Sequence, residues 1–208
     1  MLKANIGLGN LKIMLPMISG TEEVDEALGL FEQAYFELNE HFPEQQIDRP
    51  DIGIMLEVPS SVFMLPEWSK KVDFCSVGSN DLTQYLLAVD RANARVAELF
   101  NPYHPGVLRV LSKIASECEN YELPFSLCGE LGGDPEGAIL LIAMGYRRLS
   151  MNLSSLNKVK WVLRRLSVAD MEQLLSECLA QSTAKQVLRL TRNFMLEHNL
   201  GDLFYTPK

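Results

Sequence analysis

Short apolar runs and amphipathic stretches alternate along this chain. Residues 11–17, 52–58, 74–77, 125–128 and 149–151 are brief and apolar, and the first and third have the composition of buried strands in a parallel sheet. Between them, apolar residues recur at helical spacing. Val24, Leu28, Phe31, Tyr35 and Leu38 form one stripe, and Val107, Leu108, Leu111, Ile114, Ala115 and Cys118 form another. Strand followed by helix, repeated, implies βα units and an α/β fold. No internal repeat, low-complexity segment or linker interrupts the pattern.

Local punctuation places the helix ends. Ser19 with Glu22 predicts a capping box for the first helix. A helix from Ser60 or Ser61 is expected to break near Pro66, where a proline loses a backbone hydrogen bond. A glycine turn at Gly78 leads at once into a helix over 82–87. Asp134 as cap, Pro135 at the first helical position and Gly145 past the end frame another helix. Ser154 or Ser155, Ser167 and Ser182 are expected to cap three closing helices. In the second of these, Met171, Leu174, Leu175 and Cys178 have ordinary core spacing. Residues 41–50 read as a polar loop. Residues 1–4 look like the last turn of a helix, followed by a loop with Gly7 and Gly9, so the chain is expected to open inside a longer domain.

The candidate chemistry lies where strands end. Asn80 and Asp81 follow the strand at 74–77, and Glu57 closes the strand at 52–58 just before Pro59. A helix N-terminus beside such a lip offers N–H donors to an anion, and a carboxylate there suits a hard cation bridging to phosphate. Asn80 capping a helix and Asp81 facing its dipole is the simpler alternative. Glu57, costly to desolvate alone, reads either as a metal ligand or as half of a salt bridge. Arg91 reads as a phosphate fork or as a solvated surface residue, and Cys128 as a functional thiol or a small buried hydrophobe. His104, between Tyr103 and Pro105, reads as structural.

Composition narrows the classes. At 208 residues the chain is long enough for a sizeable core, and 47% hydrophobic with 22% charged residues is the balance of a soluble globular domain. A formal net charge of -8 argues against nonspecific nucleic-acid binding and against docking on an anionic membrane. Cys75, Cys118, Cys128 and Cys178 are scattered without metal-site spacing, as expected of reduced cytoplasmic thiols. No stretch has the apolar core of a signal peptide or the length to span a bilayer.

Three motifs in order, MLEVP at 55–59, SVGSNDLTQYLLAVDR at 76–91 and LCGELGGD at 127–134, closely resemble the phosphoenolpyruvate-utilising enzymes. Among these the best resemblance is to enzyme I, the phosphoenolpyruvate–protein phosphotransferases. Ser79, residues 92–96 and His104 with Pro105 look more like its nitrogen branch than its sugar branch. The resemblance implies a TIM-type (β/α)8 barrel, of which residues 1–208 would be the C-terminal portion, roughly the last five βα units plus closing helices. It also implies magnesium-dependent transfer of phosphate from phosphoenolpyruvate to a histidine of the enzyme and on to an HPr-like phosphocarrier, in a cytoplasmic homodimer.

By position, Glu57 and Asp81 would ligate Mg²⁺ or Mn²⁺, and Asn80, Asp81 and Arg91 would hold the phosphate. Cys128 would protonate the enolate to give pyruvate, a thiol's pKa being not far above neutral. None of His41, His104 and His198 lies in the family's phosphohistidine motif, and the family's further substrate arginines would precede Met1. Two other readings stay open: a noncatalytic module that pairs with another chain, and a metal-dependent aldolase or lyase on a related barrel.

Overall fold

The computed structural model of the chain describes residues 1–45 and 47–201. A 3-10 turn at Leu2–Asn5 stands where the end of an α-helix is expected, and it leads to β1 (Lys12–Leu15) and α1 (Thr21–His41). Next come β2 (Asp51–Leu56), a 3-10 turn at Pro59–Phe63, the short α2 (Leu65–Trp68) and β3 (Phe74–Gly78). Then follow α3 (Ser79–Leu87), a 3-10 turn at Ala97–Leu99, α4 (Pro105–Asn120), β4 (Phe125–Cys128) and the short α5 (Glu130–Gly133). The chain closes with α6 (Pro135–Ala143), α7 (Leu153–Leu163), α8 (Val168–Leu179) and α9 (Ala184–Glu197). The expected break near Pro66 is real, and the proline sits in the first turn of α2, where its missing N–H leaves no bond unmade.

The four strands are parallel and pair in chain order, β1-β2-β3-β4. Each crossover therefore steps one strand onward in the same direction, as around a barrel, whereas a doubly wound sheet reverses its order partway. The expected strand at 149–151 is reduced to a single parallel bridge between Leu127 and Leu149, because the chain turns into α7 at Leu153. The result is an open arc of α/β barrel with closing helices.

The two faces of the sheet differ in kind. Alternation sends Ile54, Leu56, Cys75, Val77 and Leu127 to one face, where all are fully buried against Leu65, Trp68, Leu82, Leu108, Leu111 and Ile114 of the helices. The other face carries Met55, Glu57, Phe74, Ser76, Ser126 and Cys128. Contacts confirm the register: a Cβ added at Gly53 would lie 2.5 Å from the Phe74 ring. The expected burial of the first strand does not hold. β1 pairs only with β2, so its residues alternate between exposed and half-buried, and Met14 is 39% exposed.

Several helix caps differ from expectation by one residue. Thr21 begins α1, so the third helical position is Glu23 rather than Glu22. Its carboxylate accepts from the Ser19 and Gly20 N–H groups at 2.8 and 2.9 Å and from the Ser19 hydroxyl at 2.9 Å. His41 belongs to α1, so the polar loop starts at 42, and Gln46 within it lies outside the described residues. Asn152 precedes α7 without a side-chain cap, and neither Ser154 nor Ser155 serves. Ser167 caps α8 as expected, accepting from the Asp170 N–H at 3.1 Å. Before α9 the cap is Thr183, not Ser182: Thr183 Oγ1 accepts from the Gln186 N–H at 3.3 Å, and Gln186 Oε1 returns to the Thr183 N–H at 3.1 Å. Asp134, Pro135 and Gly145, the last with φ of 105°, punctuate α6 as expected.

The corrected cap is testable by chemical denaturation. Thr183→Ala should destabilise the fold by about 1 kcal/mol, and Ser182→Ala by roughly half of that or less. A larger loss in Ser182→Ala than in Thr183→Ala would return the cap to Ser182.

Candidate active site

Glu57 directly follows β2 and is 3% exposed. Its side chain lies across the end of β3, because a Cβ at Gly78 would come 2.8 Å from Glu57 Oε2 and 3.0 Å from its Cβ. This close approach, and not backbone freedom, is what residue 78 requires: its φ is -80°, open to any residue. The other carboxylate oxygen, Oε1, accepts the N–H of Met17 at 2.7 Å. Met17 holds a left-handed backbone with φ of 58°, a strained conformation for a side chain of this kind. The salt-bridge alternative for Glu57 thus gives way to a backbone hydrogen bond from the loop after β1.

The helix after β3 begins at Ser79, earlier than the expected 82, so Asn80 and Asp81 occupy its first turn. Asn80 does not cap it. Its Oδ1 accepts from the Glu130 N–H at 3.2 Å, across the gap between β3 and β4. With the amide oxygen accepting there, the NH₂ group is what Asn80 has left as a donor. Asp81 Oδ1 pairs with the Arg91 guanidinium at 3.2 Å.

Arg91 comes back to the first turn because α3 ends on a left-handed Ala88, φ 52°, and the chain doubles back along the helix. The Val89 N–H then reaches the Gln84 carbonyl at 3.0 Å, and the Arg91 N–H reaches Gln84 Oε1 at 3.2 Å. His104 is structural, as expected: it precedes α4 and its Nδ1 accepts from the Gly106 N–H at 3.1 Å.

Cys128 ends β4, opposite Gly78 in the register, and is half-buried while Cys75, Cys118 and Cys178 are buried. Its Sγ lies 3.5 Å from the Val77 carbonyl. Burial pushes the thiol's pKa up, a hydrogen bond with the Ser76 side chain pulls it back, and the charges of Glu57 and then Asp81 push it up again. The expectation of a pKa not far above neutral is therefore corrected upward. The neutral thiol persists well into alkaline pH, which suits a proton donor and not a nucleophile.

Glu57, Asn80, Asp81, Arg91 and Cys128 thus meet around three adjacent strand ends. Among the described residues no three His, Cys, Asp or Glu side chains converge into a closed metal cage. A cavity of about 500 Å³ adjoins the group through Asn80 and Gly129 and extends over Glu130, Asp134, Ser150 and Asn152. Sequence reading missed Met17, Gln84, Ser76 and Ser79. Ser79 entered only as a mark of branch resemblance, and Ser76 only as a small polar residue in an apolar strand.

An arc of α/β barrel with carboxylates, an amide, an arginine and a thiol gathered at the C-terminal ends of its strands defines a barrel protein with a polar site on its catalytic face. The chain belongs to the PEP-utilising enzymes: residues 1–168 match the family described as PEP-utilising enzyme, PEP-binding domain. It is 49% identical over 203 residues to an Escherichia coli K12 protein named phosphoenolpyruvate-dependent phosphotransferase system, covering 98% of this chain and 27% of that protein. A Listeria monocytogenes phosphoenolpyruvate-protein phosphotransferase is 35% identical over 197 residues, covering 95% of this chain and 34% of the relative. The chain thus spans about a quarter to a third of the length of these relatives. Among solved structures, a citrate lyase from Burkholderia xenovorans superposes with a TM-score of 0.53 at 15% identity, covering 90% of this chain and 63% of that one. At that identity the likeness concerns the fold alone.

The thiol's environment sets a pH dependence. Below its pKa Cys128 is neutral and unreactive, and each nearby carboxylate disfavours the thiolate. Iodoacetamide labelling of Cys128 should therefore rise with a midpoint above the ordinary cysteine value, and Glu57→Gln or Asp81→Asn should each move that midpoint down. A midpoint unmoved or raised in both variants would show that the carboxylates do not face the thiol.

Proposed function

We propose that this chain carries the substrate site of a phosphoenolpyruvate–protein phosphotransferase. In that reaction the phosphoryl group of phosphoenolpyruvate passes to a histidine elsewhere in the enzyme and on to an HPr-like phosphocarrier, and pyruvate is released. Residues 1–208 form the C-terminal portion of the barrel domain in this reading, and the setting is a cytoplasmic homodimer of the nitrogen-branch type. The observation that carries it is the meeting of Glu57, Asn80, Asp81, Arg91 and Cys128 around the ends of β2, β3 and β4.

Each residue has work suited to its chemistry. Asn80 offers its NH₂ group, and Arg91 its planar fork, to the phosphate oxygens. When the bond between phosphorus and the bridging oxygen breaks, that oxygen keeps the electron pair and the enolate of pyruvate remains. Cys128 gives its Sγ proton to the methylene carbon of the enolate, forming the methyl group, and is later reprotonated from solvent. Its raised pKa holds that proton in place until the enolate forms.

Glu57 and Asp81 fit Mg²⁺ or Mn²⁺: two hard carboxylates, with no third protein ligand of this kind among the described residues, leave positions for substrate oxygens and water. When bound, such a cation would offset charge on the transferring group. Glu57, buried and held by Met17, would be the fixed ligand. Asp81 would exchange its partner Arg91 for the metal, turning the guanidinium toward the phosphate.

Paramagnetic titration tests this reading. Mn²⁺ should bind the parent chain, and Glu57→Gln and Asp81→Asn should each weaken it at least about tenfold. Equal affinity in all three chains would overturn the metal assignment. Phosphoenolpyruvate should bind the Mn²⁺-loaded chain, and more weakly by about tenfold in Arg91→Lys, because a point charge does not reproduce a bidentate fork.

The chain alone should release no pyruvate. Losing one preorganised electrostatic donor can cost on the order of a hundredfold in rate, and the reading assigns further substrate arginines and the acceptor histidine to segments beyond these residues. Rapid pyruvate release by the purified chain would show instead that residues 1–208 supply the whole anion clamp.

A further inference from the structure

The ladder between β3 and β4 ends at the pair Gly78 and Cys128, and one residue later β3 has become α3. The Cys128 carbonyl is nevertheless held. Ser79, 1% exposed, donates its hydroxyl to that carbonyl at 2.9 Å, so a side chain continues the ladder where the backbone has turned away. Ser79 is itself fixed, since its own carbonyl accepts from the hydroxyl of fully buried Thr83 at 2.7 Å.

The residue after the thiol is Gly129, with φ of 117°, a conformation that side chains rarely adopt. A Cβ there would lie 2.2 Å from Ser79 Oγ. One residue further, the Glu130 N–H donates to Asn80 Oδ1 at 3.2 Å. Two consecutive residues of α3 therefore bond to Cys128 and Glu130, the residues on either side of Gly129, whose backbone rotates most freely.

We infer that Ser79 is a positioning residue for Cys128: its hydroxyl fixes the strand end so that the thiol stays between the strand tips, facing Glu57 and Asp81. This rests on the proposed role of Cys128 as proton donor to one carbon of the enolate, a task in which a shift of about 1 Å costs on the order of a hundredfold. Without the bond, Gly129 gives the turn freedom to swing and carry the thiol outward. Ser79 reaches no substrate atom in this scheme and acts only through Cys128.

The four cysteines make the test selective. The full chain is labelled with iodoacetamide at one fixed pH, and modification at each cysteine is followed by peptide mass spectrometry. In Ser79→Ala, Cys128 should label about tenfold faster, the equivalent of one lost hydrogen bond, while Cys75, Cys118 and Cys178 stay protected in the core. Ser79→Thr keeps the hydroxyl and should stay within about twofold of the parent at Cys128. Ser79→Val, matched in shape to Ser79→Thr but without the donor, should behave like Ser79→Ala.

An unchanged Cys128 rate in both Ser79→Ala and Ser79→Val overturns the inference, and so does failure of Ser79→Thr to restore protection. Labelling of all four thiols together, or loss of the fold in Ser79→Ala or Ser79→Val, assigns Ser79 to general packing and overturns it as well. The labelling needs neither metal nor substrate. If the parent chain binds neither Mn²⁺ nor phosphoenolpyruvate, the functional reading fails, and the hold of Ser79 on Cys128 is still decided by these rates.

Discussion

A buried carboxylate lies across the end of β3 because residue 78 has no side chain. Any Cβ there would meet Glu57 within 3.0 Å, so the glycine fixes how closely the tips of β2 and β3 approach, and with them the depth at which Glu57 sits. A carboxylate removed from water to this degree costs several kcal/mol unless its oxygens are met. One oxygen is met by the Met17 N–H, which ties the loop after β1 to the site and holds Met17 in a left-handed backbone. The strain at Met17, the glycine at 78 and the burial of Glu57 are thus one arrangement seen from three strands.

The grip on the other side of β3 follows from the same crowding. With α3 starting at Ser79, its first residue bonds to the tip of β4 and its second to the first residue of α5. Asn80 spends its oxygen on Glu130 and is left a donor. Asp81, one residue later, turns toward Arg91, which the left-handed Ala88 returns to the first turn. Donors and acceptors around the site are therefore assigned by backbone placement before any ligand arrives. In the proposed reading this is how an acidic chain with a net charge of -8 would offer a local set of donors to an anion.

Much of this was legible in the sequence, for reasons that particular residues show. Strand tips were readable because Glu57, Asn80, Asp81 and Cys128 interrupt or end apolar runs, and α6 because Asp134, Pro135 and Gly145 act locally. Burial of β1 was not readable, since an apolar run does not say whether both sides of a strand are covered. Ser182 and Thr183 both suit a cap, and the choice turns on which one stands three residues before Gln186. Gly78 was legible as a glycine requirement but not as a steric one, because the group that needs the space, Glu57, lies 21 residues earlier in the chain. The bond from Ser79 to the Cys128 carbonyl was invisible for the same reason, its partner being 49 residues away.

Glu57 and Asp81 connect the two halves of the proposed chemistry through charge. Burial does most to push the Cys128 thiol toward its neutral form, and the charges of Glu57 and Asp81 add to that push. As ligands of a divalent cation the same carboxylates would have their charge offset, and the upward push on the thiol would fall. Cys128 would then part with its proton more readily in the metal-loaded site, where the enolate is formed, than in the empty one. In the proposed reading a single pair of carboxylates would thus hold the metal and time the proton donor. Gly78 pairs with Cys128 in the register, and its missing side chain leaves room for Glu57 across the end of β3, which sets the carboxylate and the thiol on the same face of the sheet.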